Sequence, residues 1–457
     1  MTKRSRLVKK IILYPLLIAL LLIQPVLSPA RAAETNGWKF DFGSGKPARG
    51  YTRVLSTTTY SKSLGYEFVG TNVSPPFLFS VDVPEGNYRV TVKLGDAKGT
   101  STNTIKAEAR RLMVENVETK KGKFETRTFL VNVRRPELKS GGRVKLKKDE
   151  MGHLDWDDQL TLEFNGARPR VAEVTIEKVD NVPVIYIAGD STVCDQGKEP
   201  WCAWGQMLPR FFDSDIVVAN HAESGESLKA FQGEKRNEKM FDTLKAGDYL
   251  FIQFGHNDQK PGGAHADAFT TYKELLKKDI DIARARRAFP VLVTSMNRRT
   301  FDEAGKIKNS LGDYPEAMRQ LAKEENVPLI DLNAMSKVLY ETLGPEGTIK
   351  AFVHFPADTF PGQDKELKDD THFTAYGAYE IARCVVEGIR TSIPELKKYL
   401  VADVKPFDPA KPDAVESLVL PRSRLSKLET EPTEVGVPPA PLQGGDGATN
   451  NLPHNNP

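Results

Sequence analysis

Three residues of this chain have the chemistry of a serine nucleophile and its base. Ser191 follows the apolar run 184–188 and precedes what we expect to be a helix, whose N-terminal positive field would reach the hydroxyl. Asp369 and His372 are three positions apart, just before another predicted helix, so one loop can bring carboxylate and imidazole together. In such a triad the imidazole takes the serine proton and the carboxylate orients it. We therefore predict Ser191, His372 and Asp369 as nucleophile, base and orienting carboxylate.

Each of these features also has an ordinary structural explanation. A serine at a helix start is commonly an N-cap, and a histidine beside acidic residues is common on protein surfaces. Asp370 is the rival carboxylate, although its position next to Thr371 favours another direction for its side chain. His256 is a rival base, but its place directly before Asn257 indicates a supporting role. The chemical interpretation therefore depends on the segments occurring together.

Two further loops offer hydrogen-bond donors for a negatively charged oxygen. Asn257 follows the apolar run 249–254, and a side-chain amide there can stabilise a developing oxyanion. Gly225 follows the run 216–219, and glycine lets its main-chain N–H approach a ligand closely. The carboxyl ends of parallel strands meet where ligands bind. Gly225 and Asn257 are therefore predicted to lie near Ser191.

The pattern of apolar residues divides the chain into two folded parts. Residues 34–180 contain short alternating runs such as 88–94 and 160–164, which predict an all-β sandwich. In residues 181–402, short continuous apolar runs alternate with amphipathic stretches. That alternation predicts an α/β domain with a parallel sheet, buried on both faces.

The two ends of the chain differ from the middle. Residues 1–33 have a cationic start, an uncharged and mostly apolar run over 11–27, and a small-x-small pattern at 30–32. This is the layout of a secretory signal peptide and predicts a secreted or periplasmic protein. An uncleaved anchor is the alternative, since such a run can just span a bilayer. Residues 403–457 are rich in Pro, Gly and Asn and are predicted to form a disordered tail.

Charge, histidine and cysteine usage exclude several classes of protein. The formal net charge of +3 over 457 residues argues against a dedicated nucleic-acid binder. The seven histidines show no metal-ligand spacing, so we predict no metal and no cofactor. Cys194 and Cys202 are near enough in sequence to close a short disulfide loop, but sequence does not decide the pairing. Cys384 lies in an apolar stretch and is predicted to be in the core.

The order Ser, Gly, Asn, then Asp and His resembles the SGNH (GDSL) hydrolase superfamily. One departure is Thr192, which stands where the GDSL name has Leu. Gly-Asp-Ser-Thr at 189–192, Phe-Gly-His-Asn-Asp at 254–258 and Gly-Asp-Tyr-Pro at 312–315 are similar to the rhamnogalacturonan acetylesterase-like branch. This similarity covers roughly residues 183–392. It implies a three-layer, flavodoxin-like α/β fold.

The resemblance also implies a mechanism. The triad would be Ser191, Asp369 and His372, and hydrolysis would pass through an acyl-serine intermediate. The oxyanion hole would be formed by Asn257 and by the main-chain N–H groups of Gly225 and Ser191. In the front part, Phe-Asp-Phe-Gly at 40–43 and Gly-Tyr-Glu-Phe at 65–68 resemble a galactose-binding-like β-sandwich.

The resemblance implies a carboxylic ester hydrolase that removes O-acetyl groups from a polysaccharide, with rhamnogalacturonan (pectin) as the expected substrate. The acetylated polysaccharide would be its partner. We expect a monomer, with no bound nucleic acid and no stable membrane insertion after signal cleavage. Alternatives are an acetylxylan esterase, an esterase or lipase of the same fold acting on lipid or small aryl and alkyl esters, and a non-catalytic glycan-binding protein.

Overall fold

The computed structural model describes residues 37–43, 45–55, 57–69 and 76–423. The predicted signal peptide, residues 1–33, lies outside the described residues, as does the part of the predicted tail from residue 424 onwards. Among the helices of the described part, none is both long and apolar enough to cross a bilayer.

Ten strands in the first part of the described chain form two five-stranded sheets. They are β1 (Gly37–Asp41), β2 (Thr52–Arg53), β3 (Tyr66–Val69), β4 (Phe77–Asp82), β5 (Gly86–Gly95), β6 (Ser101–Ala107), β7 (Arg111–Thr119), β8 (Phe124–Val133), β9 (Gln159–Arg168) and β10 (Val171–Val179). One sheet has the order β2-β1-β10-β5-β8, and the other has the order β3-β4-β9-β6-β7. Neighbouring strands pair antiparallel, except β1 with β2.

The two sheets face each other across one hydrophobic core. Val90, Val92 and Leu94 of β5 are buried there, while the polar residues between them are not fully buried, as expected for a strand with one wet face. Phe40 of one sheet packs edge-on against Phe79 of the other, with ring centroids 4.9 Å apart. The all-β sandwich predicted before the α/β domain is therefore present.

Five parallel strands form the sheet of the second part: β11 (Val184–Gly189), β12 (Val217–Asn220), β13 (Tyr249–Gln253), β14 (Phe289–Val293) and β15 (Leu329–Ile330). Their order is β12-β11-β13-β14-β15, which is the flavodoxin-like order. The chain turns from one side of β11 to the other between β12 and β13, and the crevice at such a point is where ligands bind.

Helices cover both faces of this sheet. They are α1 (Trp204–Met207), α2 (Leu228–Gly233), α3 (Arg236–Phe241), α4 (Lys273–Ala285), α5 (Tyr314–Glu324), α6 (Leu332–Thr348) and α7 (Ala375–Ser392). Shorter helical turns are Leu208–Phe211, Ala268–Tyr272, Pro394–Tyr399 and Val415–Ser417. Residues of α1, α6 and α7 share one core with the sheet, and residues of α2 to α5 share the other. The predicted three-layer α/β fold is confirmed.

The segment after residue 402 differs from the sequence prediction where it is described. Phe407 is buried, and Leu418 and Leu420 pack against the core that contains α7. Lys106 of the sandwich donates a hydrogen bond to the carbonyl of Pro421 at 2.9 Å. These apolar residues are far apart in sequence, so composition alone gave no sign that residues 403–423 pack on the domain.

Candidate active site

Ser191 lies in a single tight turn after β11. The N–H groups of Val193 and Cys194 both donate to the carbonyl of Asp190, at 2.9 and 3.0 Å. The turn does not continue into a helix, since α1 begins only at Trp204, so the predicted helix at Ser191 is absent. A Cβ on Gly189 would lie 2.6 Å from the Val193 side chain, which explains why the turn needs glycine there.

The Asp190 side chain stabilises this turn through hydrogen bonds to Thr192. One of its oxygens accepts hydrogen bonds from the main-chain N–H of Thr192 at 2.9 Å and from the Thr192 hydroxyl at 2.7 Å. Gln253, at the end of β13, donates to the same hydroxyl at 2.8 Å. Complete burial raises the pKa of Asp190, although the two bonds from Thr192 oppose the shift. The Ser191 turn is therefore fixed to two neighbouring strands.

Asp369 and His372 lie in the hairpin β16 (Phe352–Phe355) and β17 (Leu367–Phe373) and not in a simple loop. Phe352 pairs with Phe373, whereas the next residue of β16, Val353, pairs with Asp369. The residues between them bulge out of the ladder. A bulge re-aims side chains, and here it brings the carboxylate of Asp369 back to His372.

The three predicted triad residues form a continuous series of hydrogen bonds. The Nε2 atom of His372 lies 2.7 Å from the Oγ of Ser191, and its Nδ1 lies 2.7 Å from Oδ2 of Asp369. The other Asp369 oxygen accepts from the main-chain N–H groups of Thr371 and His372, at 2.9 and 3.0 Å. This geometry lets the imidazole receive the Ser191 proton while Asp369 faces the positive charge that forms.

The environment of Asp369 keeps it ionised. Partial burial by itself raises its pKa, but the hydrogen bond and charge of His372 and the two main-chain N–H groups lower the pKa by more. The net result is a pKa well below the usual range of an aspartate. The rival carboxylate Asp370 points elsewhere, pairing with Arg299 at 3.0 Å and with His354 at 2.8 Å.

The structure also brings Gly225 and Asn257 to the Ser191 turn. Gly225 follows β12 and has φ +77°, a left-handed conformation that favours glycine. Asn257 follows β13, and its Nδ2 donates to the carbonyl of Glu226 at 2.9 Å, while its Oδ1 accepts from Lys260 at 2.6 Å. An amide has two N–H donors, so one remains for a ligand. Ser191, Gly225, Asn257 and His372 line one cleft of about 450 Å³.

Residues that the sequence analysis did not assign to the site also line this cleft. They are Gln196, Trp201, Ser224, Lys260, Arg298 and Thr371. The indole N–H of Trp201 donates to Asp369 at 3.3 Å, and Gln196 donates to the carbonyl of Ser191 at 2.7 Å. Arg298 begins the segment Arg-Arg-Thr-Phe at 298–301, which also resembles the acetylesterase-like branch and is the one available signal in the sequence. Nothing local marks the others.

His256 also borders the cleft, but its ring nitrogens make no hydrogen bond to Ser191 or to any other described residue. It is buried, and burial and nearby Arg298 hold the pKa of His256 well below its usual range. Its carbonyl accepts a hydrogen bond from Arg298 at 3.1 Å. The hydrogen bond to Ser191 comes from His372 instead, which favours His372 over His256 as the base.

The β-sandwich contacts the loop that follows Ser191. The guanidinium of Arg111, at the start of β7, donates to Asp195 at 2.5 Å and to Asp155 at 3.0 Å. Arg110 donates to the carbonyls of Gln196 and Trp201, at 3.0 and 3.1 Å. Two arginines of the sandwich therefore hold the segment that supplies two cleft residues.

Cys194, Cys202 and Cys384 are all buried free thiols, so Cys194 and Cys202 are not paired. Across the described ranges, no group of three or more His, Cys, Asp and Glu side chains is arranged to hold a metal ion.

Comparison with known proteins agrees with this geometry. Residues 187–379 match the model of the GDSL-like Lipase/Acylhydrolase family. A rhamnogalacturonan acetylesterase of Bacillus subtilis, RhgT, is 44% identical over 220 residues, which are 48% of this chain and 94% of that protein. This chain belongs to the GDSL-like lipase/acylhydrolase family. It is a carboxylic ester hydrolase, as the sequence analysis predicted.

Similarity to a second Bacillus subtilis protein covers more of the chain. The esterase YxiM is 27% identical over 380 residues, which are 79% of this chain and 92% of that protein. The crystal structure of YxiM gives a TM-score of 0.44 at 27% identity and covers 78% of this chain and 98% of that one. The galactose-binding-like assignment of the front sandwich stays a prediction.

Proposed function

We propose that this family member removes O-acetyl groups from an acidic polysaccharide, with rhamnogalacturonan as the substrate, and that Ser191, His372 and Asp369 are its catalytic triad. The observation that carries the proposal is the series Asp369–His372–Ser191, joined by two hydrogen bonds of 2.7 Å and open to the cleft. This series has the geometry that nucleophilic acyl transfer needs.

The reaction has two steps. Ser191 Oγ bonds to the acetyl carbonyl carbon as His372 Nε2 takes the hydroxyl proton, and the carbonyl electron pair moves onto oxygen. Collapse of this tetrahedral intermediate breaks the bond to the sugar oxygen, which takes the proton from His372. In the second step His372 Nε2 takes a proton from water, and the water oxygen bonds to the carbonyl carbon of the acetyl-serine. Collapse of this intermediate breaks the bond to Ser191 Oγ, which takes the proton back from His372, and acetate is released.

The oxyanion of each intermediate would be stabilised by Asn257 and by the main-chain N–H groups of Gly225 and Ser191. Asn257 is suited to this role because Glu226 and Lys260 fix its amide in one orientation. Donors that are already aligned need no reorganisation at the moment of reaction. Arg298 also holds the loop that carries Asn257, because it donates a hydrogen bond to the carbonyl of His256.

Two observations support an acidic acetylated polymer. Lys260 and Arg298 line the same cleft as Ser191 and bring positive charge to it, which suits the carboxylates of a uronic acid polymer. Two relatives, one named a rhamnogalacturonan acetylesterase and one a probable one, are 44% and 39% identical to this chain over 220 and 210 residues. We also propose export to the periplasm or the medium, from the pattern of residues 1–33, and a monomeric protein.

The first experiment measures acetate release from acetylated rhamnogalacturonan and acetylated xylan by the wild type and Ser191→Ala. We expect faster release from the pectic polymer and almost none from the variant. Faster release from xylan, or faster hydrolysis of butyrate and longer esters, would leave the proposed triad standing but would mean that the proposed substrate is wrong. No release from any ester by the wild type would overturn the proposal and favour a glycan-binding protein.

A further inference from the structure

A lysine of the β-sandwich part reaches the loop that contains Gly225. Lys147 lies in the segment between β8 and β9, and its Nζ donates to the carbonyl of Ser224 and forms an ion pair with the Glu226 carboxylate. The Glu226 side chain is 1% exposed. A buried carboxylate without a partner is costly, and Lys147 is the cation that pairs with Glu226 directly.

The backbone of Lys147 is itself held in place. Its N–H donates to Oε2 of Glu150 at 2.8 Å. Glu150 is paired with the fully buried guanidinium of Arg236, whose Nη1 lies 2.9 Å from Oε1. Trp156 donates to the same Oε1 at 3.1 Å. The ammonium group of Lys147 is therefore presented to the loop from a fixed backbone.

Two of the proposed oxyanion donors, the main-chain N–H of Gly225 and the side-chain amide of Asn257, depend on the loop 224–226. Gly225 lies between the two residues that Lys147 contacts, so its N–H direction is set by how Ser224 and Glu226 are held. Asn257 is oriented by its hydrogen bond to the carbonyl of Glu226. The ammonium group of Lys147 contacts the loop itself, at Ser224 and Glu226, and Lys147 is not among the residues that line the cleft.

We propose that Lys147 is a positioning residue of the oxyanion hole, through which the β-sandwich completes the active site of the esterase domain. The proposal rests on the serine esterase mechanism above. Without Lys147, the loop 224–226 can shift, and a donor displaced by about 1 Å can cost a factor on the order of 100 in rate. The effect should fall on kcat, because the oxyanion exists in the transition state and not in the bound ester.

The test compares full-length variants on 4-nitrophenyl acetate, a small neutral ester that avoids polymer binding. Lys147→Met removes the charge and keeps the aliphatic stem, whereas Lys147→Arg keeps a charged donor. Lys148→Met is the matched control, since Lys148 is the exposed neighbour. Ser191→Ala reports whether hydrolysis uses the proposed nucleophile. Thermal unfolding of each variant checks that it is folded.

We expect Lys147→Met to lower kcat by about 10- to 100-fold with KM within about threefold. Lys147→Arg should recover most of the loss, and Lys148→Met should stay within twofold of the wild type. The rate at which a fluorophosphonate labels Ser191 should fall in parallel with kcat, because the adduct is tetrahedral and places its oxygen in the same hole.

A folded Lys147→Met variant with wild-type kcat and labelling rate would overturn the proposal, as would a loss confined to KM. If that variant does not fold, Glu226→Gln replaces it: this change removes the ion pair with Lys147 but keeps the main-chain carbonyl that accepts from Asn257. We expect about a tenfold lower kcat for it, and an unchanged kcat would equally overturn the proposal. Failure of the esterase mechanism itself would appear separately, as an inactive wild type or an active Ser191→Ala.

Discussion

The indole N–H of Trp201 donates to Oδ2 of Asp369, the same oxygen that accepts the hydrogen bond from His372. Trp201 is in turn held by the sandwich, because Arg110 donates to its carbonyl at 3.1 Å. One wall of the cleft therefore also orients the carboxylate of the proposed triad. Trp201 therefore has two features to distinguish: its side chain lines the cleft, where a bound sugar would contact it, and its N–H donates to Asp369.

Trp201→Phe tests the second role, since it keeps an aromatic ring and removes only the N–H. Losing a half-buried hydrogen bond to a charged group should lower kcat by about two- to tenfold. The measurement is kcat and KM on both 4-nitrophenyl acetate and acetylated rhamnogalacturonan. An unchanged kcat with a higher KM on the polymer alone would mean that Trp201 acts only by contacting sugar.

Asp369→Asn is expected to lower kcat by a factor on the order of 10³ to 10⁴, because an amide can hold His372 in the wrong tautomer and cannot stabilise the imidazolium. Asp370→Asn is the matched control, because its carboxylate faces Arg299 and His354 instead. We expect the control to stay within a few-fold of the wild type. Equal losses in both variants would mean that the strand β17 is disturbed as a whole and that Asp369 has no special role.

Asn257→Ala should slow turnover by about 100- to 1000-fold while the protein remains folded, which is the usual effect of removing one oxyanion donor. Asn257→Asp is the size-matched companion, since it removes both N–H donors and places negative charge beside the oxyanion. It should be at least as slow as the alanine variant on 4-nitrophenyl acetate. Activity of Asn257→Ala within a few-fold of the wild type would exclude this residue from the oxyanion hole.

The strand ends of the site were predictable, because an apolar run followed by a polar turn marks a buried parallel strand. Ser191, Gly225 and Asn257 were found in this way. The bulge in β17 was not, because a polar run such as 369–372 resembles a loop until its partner strand is known. Lys147 was missed for a related reason, since its contacts lie 77 positions away at Ser224 and no local pattern records them.

The sequence pattern of α4 also does not reveal that one of its carboxyl groups is buried. Asp279 is 1% exposed and accepts a hydrogen bond from Asn237 at 3.4 Å. Burial raises its pKa to about 6, and hydrogen bonds from Gln232 and Asn237 only partly oppose this. Because the pKa in the folded state lies above that of an unfolded aspartate, folding favours the protonated form. The stabilising effect is complete below about pH 4 and is lost as the pH rises to about 6.

Asp279→Asn should therefore raise the free energy of unfolding by about 1–3 kcal/mol at pH 8 and by roughly a third of that at pH 4.5, because the amide never has to ionise. Urea unfolding of the wild type and the variant at the two pH values measures this difference. The control is Asp281→Asn on the same helix, whose side chain is 53% exposed and paired with Lys277; we expect a change below about 0.5 kcal/mol. If Asp279→Asn destabilises equally at both pH values, the pKa of Asp279 does not differ between the folded and unfolded states, and the assigned pKa shift is wrong.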